Sequence, residues 1–178
     1  MGPALAHGGV LLQYAARTMR TDIAEVDENL QRKLREIFGQ ATDPLEEVER
    51  RAAALLPIPV IVWEGDPDTF QFTYVSRCAE DVLGYGVENW LELGFWANSV
   101  VHPDDQGDAV AFCALATAKG RDHDFQYRAC RADGSVVVLH DMVHVIKGPL
   151  GVPIRLRGVM VVVPQPAASA GAAAEASA

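Results

Sequence analysis

Residues 122–163 decide the fold. They read DHDFQYRACR (122–131), ADG (132–134), SVVVLHDMVHVI (135–146), KGPLGVP (147–153) and IRLRGVMVVV (154–163). Three runs rich in β-branched and aromatic residues are separated by turn chemistry, first Asp133-Gly134 and then the stretch from Gly148 to Pro153. The pattern predicts three consecutive antiparallel strands. Val136-Val137-Val138-Leu139 and Val159-Met160-Val161-Val162-Val163 are apolar at both parities, whereas a sheet wet on one face alternates. Both faces of the predicted sheet should therefore be covered.

Upstream, residues 58–64 read as a further strand, Gly65-Asp66-Pro67-Asp68 as a turn, and the alternating Phe70, Phe72 and Tyr74 as the other arm of a hairpin. Ser76 is placed to cap a short helix ending near Gly84, with Val82 and Leu83 inward. Pro103-Asp104-Asp105 opens a longer helix to about residue 119, with Val110, Cys113, Ala114 and Thr117 on one stripe and Gly120 closing it. The order β-β-α-α-α-β-β-β means an α+β fold with an antiparallel sheet.

Two amphipathic helices precede this core. Ile23, Val26, Leu30, Leu34 and Ile37 recur at helical steps over 21–38, with Asp22 and Glu25 in a capping-box pattern and Gly39 as the C-cap. A second helix starts at Asp43, with Pro44 at its first position and Leu45, Val48, Ala52, Leu55 and Leu56 on its apolar face. Residues 1–20 read as an N-terminal extension with a weak helical pattern, 21–56 as helices that cap the sheet and mediate dimerisation, 57–163 as the folded domain. Residues 164–178, Pro- and Ala-rich, have too little to bury to offset their ordering entropy and read as a disordered tail.

The net charge is −9, of which residues 57–163, with 8 basic and 14 acidic side chains, carry −6. Such acidity argues against nucleic acid as a partner, because phosphate neutralisation needs clustered Lys and Arg. No stretch approaches the roughly 18 apolar residues of a membrane span, and no signal-peptide pattern opens the chain. Cys78, Cys113 and Cys130 form no C-x-x-C pair. Together these predict a cytoplasmic protein in a reducing compartment.

Several short motifs now fall into order: Phe95-Trp96, His102-Pro103-Asp104-Asp105, Phe125-Gln126-Tyr127-Arg128, Asp133-Gly134-Ser135 and Leu156-Arg157-Gly158-Val159. With the strand order, they make residues 58–163, about 60% of the chain, resemble a PAS domain of the subclass written around His-Pro-Asp-Asp and Tyr-Arg…Asp-Gly. The resemblance implies a five-stranded antiparallel sheet with helices across one face, a small cavity between them, and a bacterial-type sensory or dimerisation role in signal transduction. Two features depart from the family. Where it usually carries an Asp-Ile-Thr-like exit motif, this chain reads Val162-Val163-Pro164, and Pro breaks an exit helix. If the chain is the whole protein, with no effector domain after it, output is expected through the N-terminal helices or a separate effector protein.

The candidate pocket residues are Trp63, Trp96, Cys113, Tyr127 and His140, for a small apolar ligand. His102 has two readings. Capping physics makes it a structural residue at the start of the long helix; the resemblance also admits haem as a cofactor, with His102 as its axial ligand. The residues themselves ask for no particular cofactor. The cysteine signature of flavin-binding relatives is absent, since Cys78 is followed by Ala79-Glu80. His140 and His144 share a strand face as half-buried sheet histidines, too far apart for one metal ion. Asp141, on the other face, needs a wet environment or a partner, with Arg128, Arg155 and Arg157 as candidates. A small cone-fold enzyme using an Asp/His pair is the contrasting reading, but His140 and Asp141 project to opposite faces and cannot converge. The expected assembly is a homodimer through the N-terminal helices and the outer sheet face.

Overall fold

The structure, a computed structural model, describes residues 28–163. The expectations for residues 1–27, including the Asp22 capping box with Ile23 and Val26, and for the tail from residue 164 lie outside the described residues. Helices α1 (Glu28–Phe38) and α2 (Leu45–Leu55) lead into strands β1 (Val60–Gly65) and β2 (Phe72–Val75). Helices α3 (Cys78–Leu83) and α4 (Val87–Trp90), a π-helical turn (Trp96–Val100) and α5 (Pro103–Ala118) follow. The chain closes with β3 (His123–Cys130), β4 (Val136–Lys147) and β5 (Pro153–Val162). The sheet is antiparallel throughout, in the order β2-β1-β5-β4-β3. This is the α+β architecture expected, with β5 between the two hairpins.

Each sheet face has its own cover. Leu139, Val143, Val145, Leu156 and Met160 pack inward with Ile61 and Trp63 beneath α3, the π-helical turn and α5. The opposite parity, Val62, Met142 and Val159, packs against Ile37 and Phe38 of α1 and Val48 and Ala52 of α2. The doubly apolar strands thus reflect a sheet buried on both faces. Each of these aliphatic or aromatic side chains contributes roughly 1.5–3 kcal/mol on full burial.

The α1–α2 turn is built around Asp43 and Arg157. Gly39 ends α1 at φ +56, where a Cβ would lie 2.0 Å from the Arg51 guanidinium. The Asp43 carboxylate accepts the Gln40 amide at 3.0 Å and Arg51 at 2.8 Å. Arg157, only 3% exposed, donates to the Asp43 carbonyl at 3.0 Å and to the Gln40 carbonyl at 3.4 Å, and pairs with Glu64 at 2.8 Å. The turn is therefore bolted to β1 and β5. The Tyr74 hydroxyl donates to Glu49 and ties α2 to β2.

The His-Pro-Asp-Asp and Tyr-Arg motifs meet in space. Asp105 accepts the Arg128 amide at 2.9 Å and its guanidinium at 2.6 and 3.0 Å, while Arg128 returns its carbonyl to the His102 amide at 2.8 Å. The first turn of α5 is locked onto β3 by charge-assisted bonds.

Local details depart from expectation where a side chain finds a better partner. Pro44 caps α2 instead of standing inside it. The Ser76 hydroxyl accepts the Val62 amide at 2.9 Å, across 14 residues, so α3 starts later, at Cys78. On α5 the buried stripe is Ala109, Cys113, Ala116 and Thr117; Val110 and Ala114 are half-buried. Gly84 at φ +81 and Gly120 at φ +61 end α3 and α5 as expected.

Phe38, 2% exposed, fills the α1–sheet contact and stacks on His144 at 5.5 Å. Phe38→Ala is expected to cost about 3–5 kcal/mol, measured by urea unfolding. A loss below about 1 kcal/mol would mean that α1 does not cover the sheet in solution.

Candidate functional site

A small cavity lies between the inner sheet face and the helices, with an empty volume of about 270 Å³ counting its open mouth. Its enclosed part has room for roughly one water molecule. Strand β1 contributes Trp63 and Gly65, β2 contributes Phe72, and the connecting turn contributes Asp66 and Phe70. Trp96 of the π-helical turn and Cys113 of α5 form the roof. Phe125, Asp141 and Leu156 come from β3, β4 and β5.

Trp63 organises these walls. Its indole lies flat against β5 where residue 158 is glycine; a Cβ there would stand 2.1 Å from the ring. The other side of the ring stacks on Phe72 at 4.8 Å, and Phe72 stacks on Trp90 at 5.6 Å. Trp96 meets Phe125 and Tyr127 edge-on, at 6.4 and 5.8 Å. Its indole N–H donates to the Tyr127 hydroxyl at 2.9 Å, which in turn faces the Met160 sulfur at 3.7 Å. Phe70, half-buried at the mouth, is the one non-glycine among the described residues with positive φ, at 56°. Such strain persists only where the surroundings hold it, and here the Asp66 turn does so by accepting the Asp68 and Thr69 amides.

Asp141 is the polar centre of the cavity. It is 1% exposed, and the Trp63 indole N–H donates to its Oδ1 at 3.0 Å. Burial pushes its carboxyl up to about 7, against the opposing pull of the Trp63 hydrogen bond. Burial likewise pushes the Cys113 thiol up to about 12 and the Tyr127 phenol well above 10. Both stay neutral at physiological pH.

Of the residues expected at a pocket, Trp63, Trp96 and Cys113 stand on the cavity wall, and Tyr127 stands behind Trp96 and holds it. His140 does not join them. It lies on the outer face, with its Nε2 2.6 Å from Asp124. The physical reason is register: Tyr127 pairs with Leu139 and Phe125 with Asp141, so the face that holds Tyr127 takes the odd positions of β4. His144 shares the outer face and bonds Asp122 at 2.9 Å. Asp141 finds a neutral indole and none of the expected arginines, which pair with Asp105 or Glu64. His102 caps α5, its Nδ1 accepting the Asp104 amide at 3.2 Å, away from the cavity. The cavity lining contains no imidazole, its one cysteine, Cys113, is a buried neutral thiol, and its enclosed part has room for about one water molecule, so the residues there do not fit haem. Phe72, Phe125 and Asp141 are wall residues that the sequence reading did not place in the pocket. Phe125 was within reach, since it stands two positions from Tyr127 on the same strand face.

The family model described as PAS fold matches residues 72–160. The chain belongs to the PAS family. This PAS domain is similar to the N-terminal domain of a diguanylate cyclase with PAS/PAC sensor from Marinobacter aquaeolei. The two share 34% identity over 58% of this chain and 94% of that one, with a TM-score of 0.54. A domain of the putative light and redox sensing histidine kinase from Haloarcula marismortui shares the fold at 18% identity, covering 65% of this chain and 99% of its own, with a TM-score of 0.53. The light-state LOV domain of the blue-light photoreceptor Aureochrome1 does so at 20% identity, 64% and 88% coverage and a TM-score of 0.54. No curated protein matches the chain. The PAS domain is a sensory signalling module. No helix among the described residues is long and apolar enough to cross a membrane.

The raised Asp141 carboxyl carries a sign. The folded state holds its proton up to about pH 7, whereas the unfolded chain releases it near pH 4. Asp141 therefore subtracts stability as pH rises between these values, and the full penalty applies above the upper one. Asp141→Asn should gain stability relative to the parent between pH 4 and 8, followed by urea unfolding; parallel curves would place the carboxyl in a wetter site. Gly158→Ala should dislodge Trp63, seen as a red-shifted tryptophan emission and a lower unfolding midpoint.

Proposed function

We propose that this PAS domain is a ligand sensor, not an enzyme, that transmits through the α1–α2 arm to a separate effector protein. The observation that carries this reading is the position of two neighbours on β1. Trp63 faces inward, onto the cavity and Asp141. Glu64 faces outward and pairs with Arg157, which holds the Gln40 and Asp43 carbonyls between α1 and α2. On β5 the same step takes the chain from Gly158, against which Trp63 packs, to Arg157. A ligand that shifts Trp63 thus acts one residue away from the bolt that seats the arm.

The cavity suits a small ligand with an apolar body, because its walls are mainly Trp, Phe and Leu side chains. Binding would shift a population of arm positions. The arm also supports a homodimer, since Leu55 and Ile58 at its end are 40% and 43% exposed, and Val138 and Val161 on the adjoining outer face are half-buried. A cytoplasmic setting agrees with three free cysteines, Cys78, Cys113 and Cys130.

Hydrogen exchange tests the route. Trp63→Phe removes the indole N–H and should speed exchange of amides 35–56. In an Arg157→Met background the same substitution should add little, giving a coupling of about 0.5–2 kcal/mol. Strictly additive effects would separate the cavity from the arm. In sedimentation, the full chain should be dimeric and a chain starting at Pro57 monomeric or aggregated; a soluble, fully stable dimer of the shorter chain would remove the arm from the interface.

A further inference from the structure

Asp141 brings a charge into the cavity that nothing in the fold neutralises. Its donors, the Trp63 indole at 3.0 Å and the Tyr127 hydroxyl, are both neutral. No Lys or Arg among the described residues pairs with it: Arg128 is committed to Asp105, and Arg155 and Arg157 to Glu64. His140, the adjacent imidazole, stands on the other sheet face against Asp124. An isolated buried carboxylate is costly, and a purely apolar ligand would leave that cost in place.

The surroundings of the carboxyl select a sign of charge. Trp63, Phe72, Trp96 and Phe125 line the same cavity and give a carbon chain apolar surface to pack on, the faces of Trp63 and Phe72 being taken by β5, by each other and by Trp90. Asp66, a second acidic side chain, stands on the lining next to Phe70 at the mouth. The domain as a whole carries excess negative charge, with 14 acidic and 8 basic side chains over residues 57–163. The enclosed part has room for about one water molecule, enough for an ammonium head, and the carbon chain lies in the open part of the cavity, which keeps it short.

We propose that the cavity is a receptor site for a small alkylammonium ion, its charged head paired with Asp141 and its carbon body packed among Trp63, Phe72, Trp96 and Phe125. This rests on the reading of the domain as a ligand sensor and names the class of its ligand. In the empty site a proton neutralises Asp141, and the ligand takes the proton's place. Binding therefore competes with protonation and strengthens as pH rises toward 7. The other titratable groups near Asp141 are Cys113 from α5, Tyr127 from β3, Asp66 from the β1–β2 turn and His140 behind the sheet. Burial keeps the Cys113 thiol and the Tyr127 phenol neutral through this range, hydrogen bonds from Thr69 hold Asp66 low, and His140, on the other sheet face, pulls the Asp141 carboxyl down against the larger effect of burial.

The test titrates the full chain with ethylammonium chloride, with sodium chloride at matched ionic strength as the control and ethanol as the neutral counterpart. It is read by tryptophan emission and unfolding temperature. Ethylammonium should bind saturably and raise the unfolding temperature, and ethanol should do neither at equal concentration. The apparent Kd should fall by about tenfold per pH unit up to about 7 and then level off. Asp141→Asn, which keeps an acceptor for Trp63, should weaken binding by about tenfold or more; the pH series on the unmodified chain gives the same answer if that variant does not fold. Equal binding of ethanol, or cation binding indifferent to pH and to Asp141→Asn, would overturn the cation assignment and leave a neutral-ligand sensor. If ethylammonium fails and indole or toluene binds, the outcome is the same. If none of these binds, the ligand-sensor reading falls with it.

Discussion

Trp63 can lie flat on β5 only because residue 158 is glycine, and most of the domain's organisation follows from that contact. Any side chain at 158 would meet the indole ring at about 2 Å, a distance that no rotamer of either residue relieves cheaply. With the ring seated, its N–H reaches Asp141 on β4, and its free face receives Phe72 and through it Trp90. Four strands and the short helices are thereby referred to one side chain. On the reverse of the same two strands, Glu64 and Arg157 seat the helical arm. Neighbouring residues on a strand point to opposite faces, so the cavity wall at Trp63 and the seat of the arm at Glu64 stand one residue apart.

The second anchor is the Asp105–Arg128 pair. Its energy exceeds that of a surface ion pair, because Asp105 accepts a backbone amide as well as two guanidinium bonds. Burial would raise this carboxyl, and the Arg128 bonds outweigh that and lower it. The geometric consequence is larger than the energetic one. Fixing the first turn of α5 to β3 sets where Cys113 roofs the cavity and where the π-helical turn delivers Trp96 to Tyr127. The His-Pro-Asp-Asp and Tyr-Arg stretches thus hold the cavity's roof over its floor.

The elements of this fold were legible because their signals are local. Gly39, Gly84 and Gly120 mark helix ends with positive φ, and three apolar runs separated by turn residues could only be consecutive strands. The doubly apolar strands even disclosed the cover on the outer face. Parity was less legible. A period of two means that one misassigned residue turns a side chain to the other face, and this displaced His140 from the cavity in favour of Asp141. Pairing settles it, since an inward Tyr127 opposite Leu139 requires inward odd positions on β4. The partner of Asp141 was beyond reach for a different reason. Charge pairing suggested an arginine, and the real donor is an indole 78 residues away in sequence, whose proximity exists only after the sheet is assembled.

Asp141 also breaks the rule that the rest of the core obeys. The Phe and Leu walls of the cavity could be replaced by aliphatic residues of similar volume without leaving a polar group unsatisfied, whereas the Asp141 carboxyl needs either a proton or a counter-charge at neutral pH. A sensor gains from such a residue. An entirely apolar pocket distinguishes ligands weakly, by one methylene or so at a time, while a buried polar group rejects molecules that leave it unpaired. Asp141 is bonded to Trp63, the residue next to Glu64, which pairs with the Arg157 that seats the arm. In the proposed sensor, a ligand paired with the carboxyl would therefore sit against the hydrogen bond that holds Trp63.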